Sequence, residues 1–367
     1  MREHPDRYIT EDDIEKLKDQ VKKLVMLPGE EIIHVLPQEY KVDSEGEIQE
    51  PVGMHGKRLE ANFHVVVGQM GSIRNIARCV REAGLEMEAL TLEPLASSEA
   101  VLTKEEKEAG VAIVDIGGGT TDIAIFKDNI IRHTCVIPYG GGIITDDIKE
   151  GCSIIEKHAE QLKVKFGSSV PELEKDSTYV TIPGLHGRPD KEISLKVLAQ
   201  IINARVEEIL EMVNTELKAY GAFEQKKKLI AGIVLTGGGS NLRNLRQLAN
   251  YTTGFDSRIG FANEYVANDK NQYLKGPEFA TSIGLLMESL KIRDKRILPT
   301  EEKIIEEVVA KAEPVSQPTP TTEVERPQPV QHIEEVSKPK EQARRNKPTF
   351  GQSLMDKVKK FFEEVEE

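Results

Sequence analysis

The stretch Val-Ala-Ile-Val-Asp-Ile-Gly-Gly-Gly-Thr-Thr-Asp-Ile-Ala-Ile-Phe, residues 111–126, decides how the chain reads. Residues 111–114 form a short apolar run of the kind that makes a buried strand, and residues 123–126 form a second. Two such runs joined by a glycine turn predict a hairpin. Between them stand Asp115, Gly117, Gly118, Gly119, Thr120, Thr121 and Asp122. Glycine has no Cβ, so backbone N–H groups in the turn can approach an anion closely, and the threonine hydroxyls can add donors. Asp115 would repel a phosphate unless a cation stood between them. A carboxylate beside a phosphate cradle therefore points to Mg²⁺, which prefers oxygen ligands and keeps several waters. A lone Gly-Gly-Gly would mean no more than a turn without a ligand. The flanking Asp and Thr residues make the pattern more specific.

A second stretch sharpens this. Residues 230–236 read as another buried strand running into Gly237, Gly238, Gly239, Ser240 and Asn241. Leu242, Leu245, Leu248 and Ala249 then recur at helical spacing. Strand, glycine turn and helix can hold a nucleotide against a helix N-terminus. The Gly-x-Gly-x-x-Gly spacing of a dinucleotide fold is absent here, and the chain has no Gly-Lys-Ser/Thr P-loop. Together the two stretches resemble the phosphate 2 and adenosine motifs of the actin / heat-shock-70 / sugar-kinase ATPase superfamily. A third motif, Leu-Glu-Pro-Leu-Ala-Ser-Ser at 92–98, resembles its first connecting helix. Glu93 there is similar to the residue that positions the attacking water. Residues 280–286 resemble the second connecting helix, with Ala280 and Gly284 small enough for close packing.

Composition sets limits. A length of 367 residues predicts two or more domains, and a hydrophobic fraction of 38% suffices for cores with part of the chain left over. A net charge of −13 argues against a general nucleic-acid binder, because phosphate contacts need clustered Lys and Arg. Cys79, Cys135 and Cys152 form no Cys-x-x-Cys pair, which suits a reducing cytoplasm better than a disulfide framework or a zinc site. No apolar run reaches about 18 residues, the length a membrane span needs, and no signal peptide opens the chain.

The N-terminal part reads as a small α/β unit. Thr10 with Asp12 and Asp13 signals a helix start, with Ile14, Leu17, Val21 and Leu24 as its apolar face. Residues 31–40 and 61–67 read as strands, and His34 and His64 within them as ordinary strand residues. Ile73, Ile76, Ala77, Val80 and Ala83 make an amphipathic helix closed by Gly84. Gly140, Gly141 and Gly142 precede a helix bearing Ile144 and Ile148. Ile154, Ala159, Leu162 and Phe166 mark the next helix, on which Glu160 and Lys163 are spaced i, i+3 and point the same way. Residues 168–193 read as strand and loop, and residues 201–219 as a long helix ended by Gly221.

An α/β insertion directly before the first connecting helix resembles FtsA, the bacterial cell-division actin homologue. Its motif set is found in Val-Leu-Pro-Gln-Glu-Tyr (35–40), Pro-Val-Gly-Met (51–54), Leu-Ala-Ser-Ser (95–98), Arg-His-Thr (132–134) with Ile-Pro-Tyr-Gly-Gly (137–141), Gly-Arg-Pro (187–189) and Arg-Val-Glu-Glu (205–208). The match spans 9–290. It implies an actin-like ATPase fold of class α/β with an inserted small α/β domain, then a disordered tail and an amphipathic helix. The expected division is an N-terminal remnant (1–8) and the inserted domain (9–90). A partial first actin-like domain (91–109 and 278–293) and a second one (110–150 and 225–277) follow, with a smaller subdomain at 151–224. A linker (294–348) and a terminal helix (349–367) complete it.

The last two segments also stand on their own composition. After about residue 293 prolines recur, and such a stretch cannot bury enough apolar surface to fold. Leu354, Val358, Phe361, Phe362 and Val365 then lie on one helical stripe, as an interfacial membrane helix requires. Lys338, Lys340, Arg344, Arg345 and Lys347 upstream would compensate for the four C-terminal glutamates on anionic lipid.

The resemblance implies ATP and Mg as cofactors. Nucleotide contacts would come from Gly117, Gly118, Gly119, Thr120, Thr121, Gly237, Gly238, Gly239 and Ser240. Glu160 and Lys163 would lie on the ribose and adenine side. Asp115 would hold Mg through water, and Glu93 and Asp115 are the catalytic candidates. The superfamily's first phosphate hairpin is not found before residue 9, which leaves hydrolysis by this chain open. The implied partners are the FtsZ C-terminal peptide, bound at 151–224 through Arg205, further copies of the chain in a protofilament, later division proteins and membrane lipid, with no nucleic acid. The implied place is the cytoplasmic side of the membrane at the division septum. A pilus-assembly actin homologue fits the body but not the tail. A metabolic kinase gives no reason for the linker and tail. A chaperone needs a β-rich substrate domain where the prolines stand.

Overall fold

The computed structural model describes residues 6–184, 189–262, 274 and 276–297, with side chains to 293. The expected linker and the membrane stripe of Leu354, Val358, Phe361, Phe362 and Val365 lie outside the described residues. Among the described residues no helix is long and apolar enough to cross a membrane.

Helix α1 (Glu11–Lys22) begins at a capping box: the Asp13 carboxylate accepts from the Thr10 backbone N–H at 3.1 Å. Leu24 lies past its end and is exposed. Strands β1 (Glu30–Val42), β2 (Glu45–Ile48) and β3 (Leu59–Gln69) form an antiparallel sheet in the order β2-β1-β3. Its core is small: Ile9, Tyr40, Val42 and Leu59, with Ile14 and Leu17 of α1 packed on them. Helix α2 (Met70–Glu82) buries none of its residues, and Ile76 is 49% exposed. The amphipathic stripe expected there exists but faces no core.

The body is built differently. Helix α3 (Glu93–Val101) and the short α4 (Lys104–Ala109) lead into β4 (Val111–Ile116), β5 (Thr121–Lys127) and β6 (Ile130–Ile137), a meander whose first two strands form the expected hairpin. Helices α5 (Gly141–Cys152), α6 (Glu156–Phe166) and α7 (Leu195–Tyr220) follow, with the two-stranded β7 (Tyr179–Ile182) and β8 (Lys191–Ser194) set before α7. Helix α7 starts well before the expected residue 201, because Leu195, Leu198 and Ala199 extend its buried stripe. Gly221 ends it in the left-handed region. Strand β9 (Ile233–Thr236), helix α8 (Leu245–Thr253), strand β10 (Ser257–Ile259) and helix α9 (Ala280–Ile297) complete the fold. The body sheet has the order β10-β9-β4-β5-β6, with β9 parallel to both β4 and β10.

All six β4 residues are buried, as a strand between two covered faces requires. On one face Ala112, Val114, Ile123 and Ile125 pack with α5, α6, α7 and α8; on the other Ile113, Ala124 and Val234 pack with α3 and α9. The connecting helices meet as expected: a Cβ on Gly284 would run into the Ala96 carbonyl oxygen. Three further sequence expectations shift. Strand β9 starts at Ile233, not 230: Gly232 takes a positive φ of 66° that breaks the strand, and Ile230 is 73% exposed. Leu242 lies between the glycine turn and α8. Helix α9 runs through Ile297, past the linker boundary expected at 294.

Candidate functional site

The hairpin ends on the pairs Asp115–Asp122 and Ile116–Thr121, and its turn closes with Gly117 N–H donating to Thr120 O at 2.9 Å. The first turn of α5 then docks on it. Gly141 N–H donates to Gly117 O at 2.8 Å and Gly142 N–H to Gly118 O at 2.7 Å. This explains the second glycine run, because a Cβ on Gly140 would lie 2.7 Å from Gly117 O and 2.8 Å from Thr120 O. Gly118 and Gly119 instead face open space, and their amides meet no acceptor among the described residues.

Opposite stands the turn after β9. Gly237 takes φ 81°, where any Cβ would collide with the Asp115 carboxylate and the Ile116 carbonyl. The amides of Gly238 and Gly239 meet no acceptor among the described residues either. Asn241 Nδ2 donates to Glu278 Oε2 at 2.9 Å, closing the rim.

Helix α6 makes the third wall. Lys163 Nζ spends its three protons on Gly141 O, Thr145 Oγ1 and the Glu160 carboxylate, each at 2.7 Å. Burial pushes the Glu160 carboxyl up, but the bonds from Lys163 and Thr145 outweigh it and hold it below the ordinary value. The walls enclose a cleft of about 320 Å³ lined by Gly117, Gly118, Glu160, Lys163, Gly238 and Gly239 among others.

Three carboxylates lie near the first glycine turn. Asp115 is buried in the sheet and accepts from Ser97 Oγ at 2.6 Å. The Thr281 hydroxyl lies 3.4 Å from Asp115 Oδ2 and 3.5 Å from Glu93 Oε1. Asp122 accepts from Thr120 Oγ1 at 2.8 Å. Burial pushes Asp115 up, and the Asp122 charge adds to it. Burial likewise raises Asp122. Glu93 is raised by burial first and then by both aspartates. Among the described residues no three such groups form a metal cage. One or two carboxylates with water are the kind of donor set Mg²⁺ accepts, since it keeps several of its waters.

The structure thus brings most expected residues together and corrects some details. The hydroxyls do not point at the cleft as donors: Thr121 donates to Tyr139 O at 2.7 Å, Ser240 to Thr236 O at 2.6 Å, and Thr120 to Asp122. Arg205 lies elsewhere, paired with Asp147 at 2.6 and 3.0 Å and with Glu208 at 2.5 Å, over the Tyr139 ring. Sequence reasoning missed Ser97, Asp122, Thr145, Asn241 and Thr281. Asp122 had a visible signal, since it sits in the hairpin motif directly across from Asp115. The others are single polar residues on helices or turns that only packing brings to the site.

His34 and His64 lie in β1 and β3, as expected, and each also makes a hydrogen bond outside its sheet. His34 Nε2 accepts Leu92 N–H at 3.0 Å, and His64 Nε2 lies 2.9 Å from Thr134 Oγ1 of β6. Burial lowers both, with His133 adding to the effect at His64. Arg132 pairs with Glu39 at 2.9 Å across the same joint.

Known proteins resemble this chain in sequence and in overall fold. Residues 112–284 match the family model "Cell division protein FtsA", and residues 1–67 match "SHS2 domain inserted in FTSA". The cell division protein FtsA of Pseudomonas aeruginosa is 37% identical over 286 residues, covering 78% of this chain and 67% of that protein. That of Escherichia coli K12 is 35% identical over 282 residues, covering 76% and 67%. Two solved structures share the fold. The PilM–PilN type IV pilus biogenesis complex aligns with a TM-score of 0.54 at 18% identity, over 76% of this chain and 72% of that one. MreB5 of Spiroplasma citri bound to ADP aligns with a TM-score of 0.51 at 21% identity, over 63% and 68%. With two family models in register along the chain and these relatives over three quarters of it, the chain belongs to the FtsA family of cell division proteins, on an actin-like α/β fold with an SHS2 insertion.

Proposed function

We propose that the chain is an ATP-binding, actin-like adaptor that links the FtsZ ring to the cytoplasmic membrane at the division septum. The observation that carries the nucleotide part is the pair of facing glycine turns: Gly118, Gly238 and Gly239, whose amides meet no acceptor among the described residues, line one cleft, and Gly119 follows Gly118 in the same turn. Amides of Gly118, Gly119, Gly238 and Gly239 would donate to phosphate oxygens. Mg²⁺, when bound, would neutralise phosphate charge while Asp115 and Asp122 hold its waters. Glu160, half exposed at the cleft wall, would accept ribose hydroxyls, and Lys163 would hold Glu160 and the α5 turn in place. Glu93, whose carboxyl burial and then the two aspartates push up, would orient a water, as the family resemblance implies. The MreB5 structure was determined with ADP bound, which supports a nucleotide here.

The adaptor part rests on the family and the sequence. The chain would self-associate into a protofilament and recruit later division proteins. The 151–224 subdomain would take the FtsZ C-terminal peptide, with Arg205 exchanging Asp147 or Glu208 for a peptide carboxylate. The stripe Leu354, Val358, Phe361, Phe362 and Val365 would lie in the membrane interface.

Calorimetry of Mg-ATP on the full chain tests the site. Gly238 has room for a side chain, its nearest contact being Glu278 Cβ at 3.9 Å. Gly238→Asp therefore leaves the fold intact while charging the cleft, and it abolishes binding, as does Asp115→Ala. Parent-like affinity in both variants overturns the site. Vesicle flotation with and without residues 349–367 tests the anchor; equal flotation overturns it.

A further inference from the structure

The pairing of β1 with β3 is irregular at two points, between Ile32 and His34 and between Pro37 and Glu39. A β-bulge bends its strand and re-aims a side chain. Both irregularities accompany a side chain that reaches the body. At the second, Gln38 Nε2 donates to Ile131 O of β6. At the first, His34 Nε2 accepts the backbone N–H of Leu92 at 3.0 Å. Leu92 is the N-cap of α3, with φ −66° and ψ 135° and no side-chain cap of its own. The next residue is Glu93, the carboxylate beside Asp115 and Asp122. Cap dihedrals set the direction in which a helix leaves, so the anchor on Leu92 fixes where Glu93 stands.

We propose that His34 is a positioning residue of the nucleotide cleft, whose neutral ring ties the inserted domain to the placement of Glu93. The bond requires a lone pair on Nε2 and therefore the proton on Nδ1. His34 pairs with Val66 of β3 and bonds Leu92, and β1 also packs on α1, β2 and β6; the ionisable residues nearest along the two partner segments are His64 on β3 and Glu93 beside Leu92. Burial lowers the His34 ring below its ordinary value, which favours the neutral form the bond requires. A protonated imidazole can only donate, so acid breaks the bond and frees Leu92. A ligand or partner that shifts β1 would have the same effect, and the inserted domain would thereby alter the cleft without touching it.

The test compares the full-length parent chain with His34→Gln, which keeps an acceptor but cannot be protonated, and His34→Leu, which has none. The first readout is amide hydrogen exchange over residues 91–97, followed from pH 8 downward through and below the ordinary histidine value of 6.5 for as long as the parent stays folded, with no nucleotide present. At pH 8 the parent and His34→Gln protect this segment equally and His34→Leu does not. As the pH falls through the lowered His34 value the parent loses protection and His34→Gln keeps it. The second readout is Mg-ATP affinity and depends on the nucleotide reading of the cleft. It follows the same pattern, with a loss of about two- to tenfold, the worth of one hydrogen bond. If no protein binds ATP, that reading fails while exchange still decides on His34. Equal exchange in His34→Leu and parent overturns the proposal. So does the same pH response in His34→Gln and parent, which remains decisive if His34→Leu does not fold.

Discussion

The body sheet and the inserted sheet are both small antiparallel-containing structures, yet they are stabilised differently. In the body, β4 and β5 are buried on both faces, and the two connecting helices approach until only glycine fits at 284. In the inserted domain one small cluster around Tyr40 holds three strands, and α2 buries none of its residues. The difference teaches where precision resides. A cleft proposed to hold charged phosphates needs walls fixed by dense packing on both sides. A docked module needs only enough core to keep its shape. It sits on the body through Leu36, which packs on the body cluster, and through polar contacts: His34 to Leu92, Gln38 to Ile131, Arg132 to Glu39 and His64 to Thr134.

The comparison can be broken at its strongest point first. Gly284→Val forces a side chain into the Ala96 carbonyl where α3 meets α9. Overpacking of this kind costs about 3 kcal/mol, and thermal unfolding will show the whole body destabilised. A parent-like Tm would mean the two helices have slack.

Asp115→Asn separates stability from function. The aspartate is held above its ordinary value of 3.8 by burial and by Asp122, so its charged form is disfavoured in the folded state. The nucleotide-free variant should melt higher than the parent at pH 8. Because the folded-state proton is held more tightly, the parent gains stability as pH falls through the raised value towards 3.8. The difference in Tm should therefore shrink in acid, while Mg-ATP binding is lost at every pH. A lower Tm at pH 8 would contradict the electrostatic account.

Arg132→Ala loosens the joint alone. Arg132 loses Glu39 at 2.9 Å and Asp128 at 3.2 Å, a cost of about 1 kcal/mol. Cleavage by a Glu-specific protease at Glu86 or Glu88 should accelerate, while the melting of the body hardly moves. The smallest effect belongs to the unburied face of α2: Ile76→Ser should change stability by less than about 0.5 kcal/mol. A larger loss in a dilute monomer would show that this face is covered.

The hairpin, the second glycine turn and the close helix pair were legible because local pattern and fold demand coincide there. Val111, Ala112, Ile113 and Val114 can only be a strand covered on both faces, and Gly284 only a close approach. The errors share a cause. Ile76 and Ile230 carry apolar side chains with no core to receive them, and no one-dimensional pattern reports whether a second surface arrives. The threonine hydroxyls at 120 and 121 looked like ligand donors but are taken by Asp122 and Tyr139.

The sequence by itself determined the strands, the turns and the glycines at which backbone must pass backbone, because periodicity and missing Cβ atoms act within a few residues. Only the tertiary structure decided which polar groups are spent and which remain open. It placed Ser97 and Thr281 on Asp115, Thr145 between Glu160 and Lys163, and His34 on Leu92. These partners lie between 15 and 166 residues apart in the chain. A hydrogen bond forms only at about 3 Å, so such pairs exist only once the fold has closed that distance.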